Sequence, residues 1–199
     1  MDDLEEITKS IDVLIQDKPL DFLGHCELKT GCKLLIIDLL INFNRLEVHL
    51  KRLVTYVEIP TYKDEVRTLP LSQLINVKEL HKHLNGEIIY LLGKVEKNLF
   101  VRNLIAHSIP TLIKDKYIVF LSHDISELKK IRINAKREDY KYAETERTKA
   151  LLKLKEKIDH SNYSVMRLND LIGLNELLDY LIKEIEFIVN HIEPVNNFV

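Results

Sequence analysis

The chain has 199 residues, of which 46% are apolar and 30% charged, with five Gly and five Pro. That apolar share is enough for a folded core and excludes a disordered chain. The net charge is -2, from 29 basic and 31 acidic residues. A balance of this kind gives no overall attraction to nucleic acid, so any contact with RNA or DNA must come from a local basic patch.

The termini and cysteines point to the cytoplasm. Residues 1–6 are acidic, where a signal or transit peptide is basic. The most apolar run, 34–41, contains Asp38 and is far shorter than the ~20 residues that span a bilayer. Cys26 and Cys32 lack the CxxC spacing, which favours two ordinary reduced thiols.

Helical periodicity dominates the chain, so we predict an all-α fold, a bundle of about five to seven helices. The prediction treats 1–199 as a single domain, with a core of about 32–125 completed by C-terminal helices in 126–199. A minor β-hairpin is expected around 117–121, because a short apolar run follows a turn-like Lys-Asp-Lys segment. The predicted helices, in chain order, are 4–16, 19–29, 32–57, 77–84, 87–106, 124–160 and a last one that begins after Ser164 and ends before Pro194.

The helix over 32–57 changes character along its length. Its first part, 34–41, is apolar nearly all round, which is typical of a helix buried on several sides, or on one side and in a partner interface. Its second part narrows to a single stripe, which includes Phe43, Leu46, Leu50 and Leu53.

One polar cluster interrupts the apolar stripe of helix 87–106. At ~100° per residue, Arg102 and Asn103 fall close to the stripe marked by Ile88 and Val95, and His107 lies at its edge. Burial of an unpaired guanidinium costs several kcal/mol. These groups are therefore expected to face a partner, a cleft or an anion.

The segment Arg102-Asn103-Leu104-Ile105-Ala106-His107 resembles the motif of the HEPN superfamily of nucleic-acid-linked domains, an arginine beside a polar residue with a histidine four to six residues further on. A softer likeness lies upstream, where 42–47 resembles the helix that brings an acidic side chain, here Glu47, to that motif. The resemblance covers roughly residues 32–125.

The resemblance implies a cytoplasmic endoribonuclease that needs no metal or cofactor, acting as a toxin or as an antiviral, abortive-infection effector. His107 would serve as general acid or base, Arg102 would hold the phosphate, and Asn103 would orient the histidine or hold a phosphate oxygen. Glu47 is the fourth candidate catalytic residue. Arg102 and His107 lie ~140° apart on an ideal helix, and the family's solution is a homodimer whose two motifs line one cleft. The partners implied are RNA, a second copy that pairs through 34–41, and an antitoxin or regulatory protein.

Two other interpretations remain open. Arg102 can form a structural bridge with Glu47 while His107 caps a helix end, which gives a non-catalytic helical module that binds RNA, a nucleotide or a protein. Alternatively, the motif is a coincidence in an unrelated helical bundle.

A basic segment follows the motif. Between 127 and 157 there are eleven Lys or Arg and six acidic residues, an excess of five. This excess marks either a path for an RNA backbone or a solvated helix face. The candidate RNA-binding residues are Lys129, Lys130, Arg132, Lys136 and Arg137.

Overall fold

The computed structural model describes residues 28–57, 59, 68–113, 115–121 and 163–192. Within these ranges the chain is mostly helical and carries one small antiparallel sheet. The elements, in chain order, are α1 (Thr30–Tyr56), α2 (Leu71–Leu74), α3 (Lys78–His81), α4 (Gly86–Lys97), α5 (Leu99–His107), β1 (Ile109–Ile113), β2 (Tyr117–Leu121), β3 (Tyr163–Arg167) and α6 (Leu168–Ile192).

The chain divides into two compact units, each built from two separate stretches. The sheet unit comprises Met1–Leu34 and Asn103–Leu171, and the helical unit comprises Leu35–Arg102 and Ile172–Val199. In the described ranges, every helix is too short or too polar to cross a bilayer.

Helix α1 buries one face and exposes the opposite one. Phe43, Leu46 and Leu50 are fully buried, as the stripe predicts. In the earlier run, however, Ile37 and Ile41 are about half exposed, at 51% and 48%. The run 34–41 is therefore buried on one side only, and the partner interface expected for its other side stays a prediction.

The predicted long helix over 87–106 is wrong in one respect, because it is two helices that meet at Asn98. The side chain of Asn98 donates to the backbone oxygen of Lys94 at 2.9 Å, and its backbone (φ −104°, ψ 8°) leaves the helical region. An asparagine side chain that bonds to a neighbouring backbone oxygen competes with helix continuation. Because α4 and α5 are separate helices, the buried face of α5 does not have to continue the apolar stripe of α4.

The sheet has the order β1-β2-β3 and is antiparallel throughout. The hairpin of β1 and β2 agrees with the expected β element after the motif, and Asp115 makes its turn with a positive φ of 53°. Strand β3 corrects the prediction, which begins the last helix after Ser164, because residues 165–167 lie in a strand and the helix begins at Leu168. Residues of both sheet faces are buried, Ile118 and Phe120 on one and Val119 and Leu121 on the other.

Helix α6 follows β3 directly and buries an apolar stripe that includes Leu178, Leu181, Ile182 and Ile185. It is the predicted last helix, and its described end at Ile192 precedes Pro194. The helices predicted over 4–16 and 124–160, and most of the one over 19–29, lie outside the described residues.

Candidate functional site

Arg102 is held by two side chains of α1. Its Nη2 donates to Asn44 Oδ1 at 2.9 Å, and its Nη1 lies 3.3 Å from Glu47 Oε2. All three residues belong to the helical unit. The Arg102 side chain keeps 35% of its surface exposed, so the guanidinium is positioned by the protein and still meets solvent.

Glu47 is the centre of this arrangement. Its second carboxylate oxygen, Oε1, accepts from Lys51 Nζ at 2.8 Å, one helical turn further along α1. The Glu47 side chain is only 19% exposed. Two cations therefore contact this largely buried carboxylate.

The structure brings together the predicted site residues Arg102 and Glu47, and it adds Asn44. Sequence reasoning assigned no role to Asn44, although it precedes Glu47 by three residues and so faces the same side of α1. That spacing was the available signal. The spacing alone does not distinguish Asn44 from the other exposed residues of α1.

Burial on α5 differs from the prediction. Val101, Leu104 and Ile105 form its buried face, Arg102 lies at the margin, and Asn103 is exposed. The predicted placement of Asn103 in the apolar stripe is therefore wrong. The reason is the break at Asn98, because the stripe of α4 does not continue in register into α5.

Asn103 and His107 belong to the sheet unit and are both exposed. They are four residues apart in α5, so they lie on the same face of the helix. His107 stands in the last turn, immediately before Ser108 and strand β1. The amide and the imidazole therefore lie on the solvent-exposed side of α5.

A second polar group of α1 lies toward α6. Asn42 is buried and donates to Asn175 Oδ1 at 3.0 Å. Two turns further on, His49 has a buried Nδ1 that makes no hydrogen bond within the described structure. Burial lowers the pKa of His49, Glu186 raises it, and Arg52 and Arg45 lower it. The imidazole is therefore held toward its neutral form.

The five residues proposed to contact RNA, from Lys129 to Arg137, lie outside the described residues. Within the described ranges, no three His, Cys, Asp or Glu side chains are grouped as metal ligands.

Comparisons with known proteins give no assignment for these residues. No protein-family model matches the chain, and no curated protein or solved structure shows significant similarity to it.

Proposed function

We propose that the protein is a metal-independent endoribonuclease of HEPN type, acting as a toxin or antiviral effector, in which Arg102 and His107 act on one phosphodiester. The observation that carries the proposal is the Arg102 side chain, which is still 35% exposed while its guanidinium is held by Glu47 and Asn44. A permanently charged, pre-positioned fork of donors suits the phosphate oxygens on which negative charge develops during cleavage.

The chemistry needs a group that exchanges protons near neutral pH. His107 supplies an exposed imidazole on α5, and Asn103 lies on the same helix face to orient the ring or hold a phosphate oxygen. One histidine would take the proton of the 2′-hydroxyl and a second would protonate the leaving 5′-oxygen. A homodimer with two motifs in one cleft would supply both.

Glu47 has a positioning role in this proposal. It holds Arg102 and Lys51 without needing to touch RNA. Replacement of Glu47 by Gln keeps an acceptor oxygen for Arg102 but removes the charge, so cleavage is expected to fall less than after loss of Arg102 itself.

The direct test compares RNA cleavage by the wild type, His107→Ala and Arg102→Ala. Loss of an acid–base group should lower the cleavage rate about 10²–10⁴-fold, and loss of Arg102 should also abolish detectable cutting. Matched controls are His83→Ala, an exposed histidine of the helical unit, and Arg167→Ala, an exposed arginine that forks onto Asp170 at 2.8 and 2.9 Å. Both controls should cut like the wild type, and a chelator should not reduce the rate.

Undiminished cleavage by His107→Ala with unchanged helicity would remove His107 from the mechanism. Sequencing of new RNA 5′ ends in cells that express the wild type or His107→Ala would identify the RNA substrate.

The second candidate is a non-catalytic helical module that binds RNA, a nucleotide or a protein. The bridge from Arg102 to Glu47 favours it, because a guanidinium engaged with a carboxylate also suits a purely structural role. This candidate predicts that the wild type cuts no RNA and that Arg102→Ala lowers the free energy of unfolding by about 1–3 kcal/mol, since Glu47 loses a charged partner.

A further inference from the structure

Lys51 is held in a partly buried position, although lysine side chains are mostly exposed. Its Nζ lies 2.8 Å from Glu47 Oε1, and only 22% of the side chain is exposed. Lys183 on α6 provides a contrast, because it contacts Asp179 at 2.6 Å with the same four-residue spacing but is 70% exposed. An exposed pair of that kind contributes little, whereas the ammonium of Lys51 is positioned before any ligand binds.

Glu47 brings the ammonium of Lys51 close to the guanidinium of Arg102. One carboxylate oxygen contacts Lys51 at 2.8 Å, and the other lies 3.3 Å from Arg102 Nη1. The three side chains belong to the helical unit and together carry one positive charge in excess. Since a nucleic-acid strand carries one negative charge per nucleotide, two neighbouring cations suit two successive phosphates.

The charge of the helical unit is concentrated around this group. Over residues 45–52, α1 has three cations and one carboxylate, and Arg102 adds a fourth cation, which gives a net charge of +3 with histidine counted as neutral. Helix α6 instead has one lysine and five acidic residues, a net charge of -4. The surface beside Arg102 is therefore a local basic patch in a chain whose overall charge is negative.

We propose that Lys51 binds the phosphate next to the one that Arg102 binds, so that the site takes an RNA strand through two successive phosphates. This inference rests on the proposed function for its substrate. It adds a specificity that Arg102 and His107 alone do not supply, because cleavage would then be efficient only where a second phosphate flanks the scissile one. Glu47 sets the spacing of the two cations, and little side-chain freedom is lost when the strand binds.

Binding is measured apart from cleavage with DNA trinucleotides, which lack the 2′-hydroxyl that cleavage uses. One trinucleotide has two phosphates, and in the other a neutral methylphosphonate replaces one of them. The wild type should bind the first about 10- to 100-fold more tightly, the equivalent of one charged hydrogen bond.

Lys51→Gln removes the charge but keeps a donor for Glu47, so this variant should bind both trinucleotides alike. Lys51→Arg should retain the wild-type preference. The matched control is Lys183→Gln, which breaks a pair of the same spacing on α6 and should also behave as the wild type. The unfolding midpoint of each variant checks that the fold is retained.

Equal affinity of the wild type for the two trinucleotides overturns the inference, and this comparison needs no variant to fold. A folded Lys51→Gln variant that keeps the preference also overturns it. In RNA cleavage, Lys51→Gln should raise KM and leave kcat unchanged, as loss of a uniform binding contact does. Binding that depends on Lys51 without any cleavage would remove the nuclease and leave the two-phosphate site standing, whereas cleavage without that preference would do the reverse.

Discussion

Two ionisable side chains of α1, Glu47 and His49, have opposite environments although they are two residues apart. Glu47 is matched by two cations, at 2.8 Å and 3.3 Å. The buried Nδ1 of His49 makes no hydrogen bond within the described structure, and burial lowers its pKa. Glu47 thus has two charged partners, whereas His49 is held toward its neutral form by burial.

The neutral state of His49 should make folding sensitive to acid. Its pKa is lowered in the folded protein relative to the ordinary 6.5, so the unfolded chain binds the proton more tightly. Its stabilising contribution is present above about pH 6.5 and is lost as pH falls through the lower, folded pKa. We expect the free energy of unfolding to fall between about pH 7.5 and pH 5, and His49→Gln to fall less steeply.

Urea unfolding at both pH values measures the difference, with His83→Gln as the control because His83 is exposed. An identical slope in wild type and His49→Gln would show that other groups cause the acid sensitivity. The measurement needs no RNA, because the pKa of His49 is lowered by burial within the folded chain itself.

The sequence predicted part of the candidate site. The bond from Arg102 to Glu47 could be predicted from the sequence, because both the catalytic and the structural interpretation pair these two residues. The exposure of Asn103 could not be predicted, because the direction in which its side chain points depends on the break between α4 and α5 at Asn98. A single asparagine inside an apolar period gives no warning that the next turn starts a new helix.

Among the helices, α4 shows how one side chain defines a boundary. Asn85 precedes it in an extended conformation, and its Oδ1 accepts from Ile88 N at 2.8 Å. This bond satisfies one of the amides that a helix start leaves unpaired. The following Gly86 and Glu87 complete a first turn in which the acidic residue suits the positive end of the helix dipole.

Asn85→Ala should therefore destabilise the protein by about 1 kcal/mol, within the range of ~0.5–2 kcal/mol known for lost N-caps. Asn85→Asp keeps the acceptor and should be close to the wild type. The readout is the midpoint of chemical unfolding, with helicity at low denaturant as the check that the fold is retained. An unchanged midpoint for Asn85→Ala would mean that the cap contributes little.

The strands divide into predictable and unpredictable ones for a physical reason. Tyr117–Leu121 is a continuous apolar run beside a turn signal, and it forms β2. Tyr163–Arg167 contains Ser164 and Arg167 and has no such pattern. Its strand conformation depends on pairing with β2, with Val165 opposite Val119, and a contact between such distant residues leaves no local signal.

At the scale of the whole molecule, each compact unit joins an early and a late part of the chain. The helical content follows from composition and periodicity, as predicted. The division into these two units could not be predicted from composition or periodicity, because it is set by contacts between distant segments. The single-domain assignment of 1–199 remains a prediction.

The position of β2 in the middle of the sheet has a consequence for biosynthesis. Its second edge is paired by β3, which leaves the ribosome more than forty residues later. Until then, the apolar segment from Tyr117 to Leu121 has one unpaired edge, a recognised template for aggregation. A chain terminated after residue 160 should consequently accumulate in the insoluble fraction, whereas one terminated after Ile192 should remain in solution. Equal solubility of the two chains would show that the nascent protein protects this edge in another way.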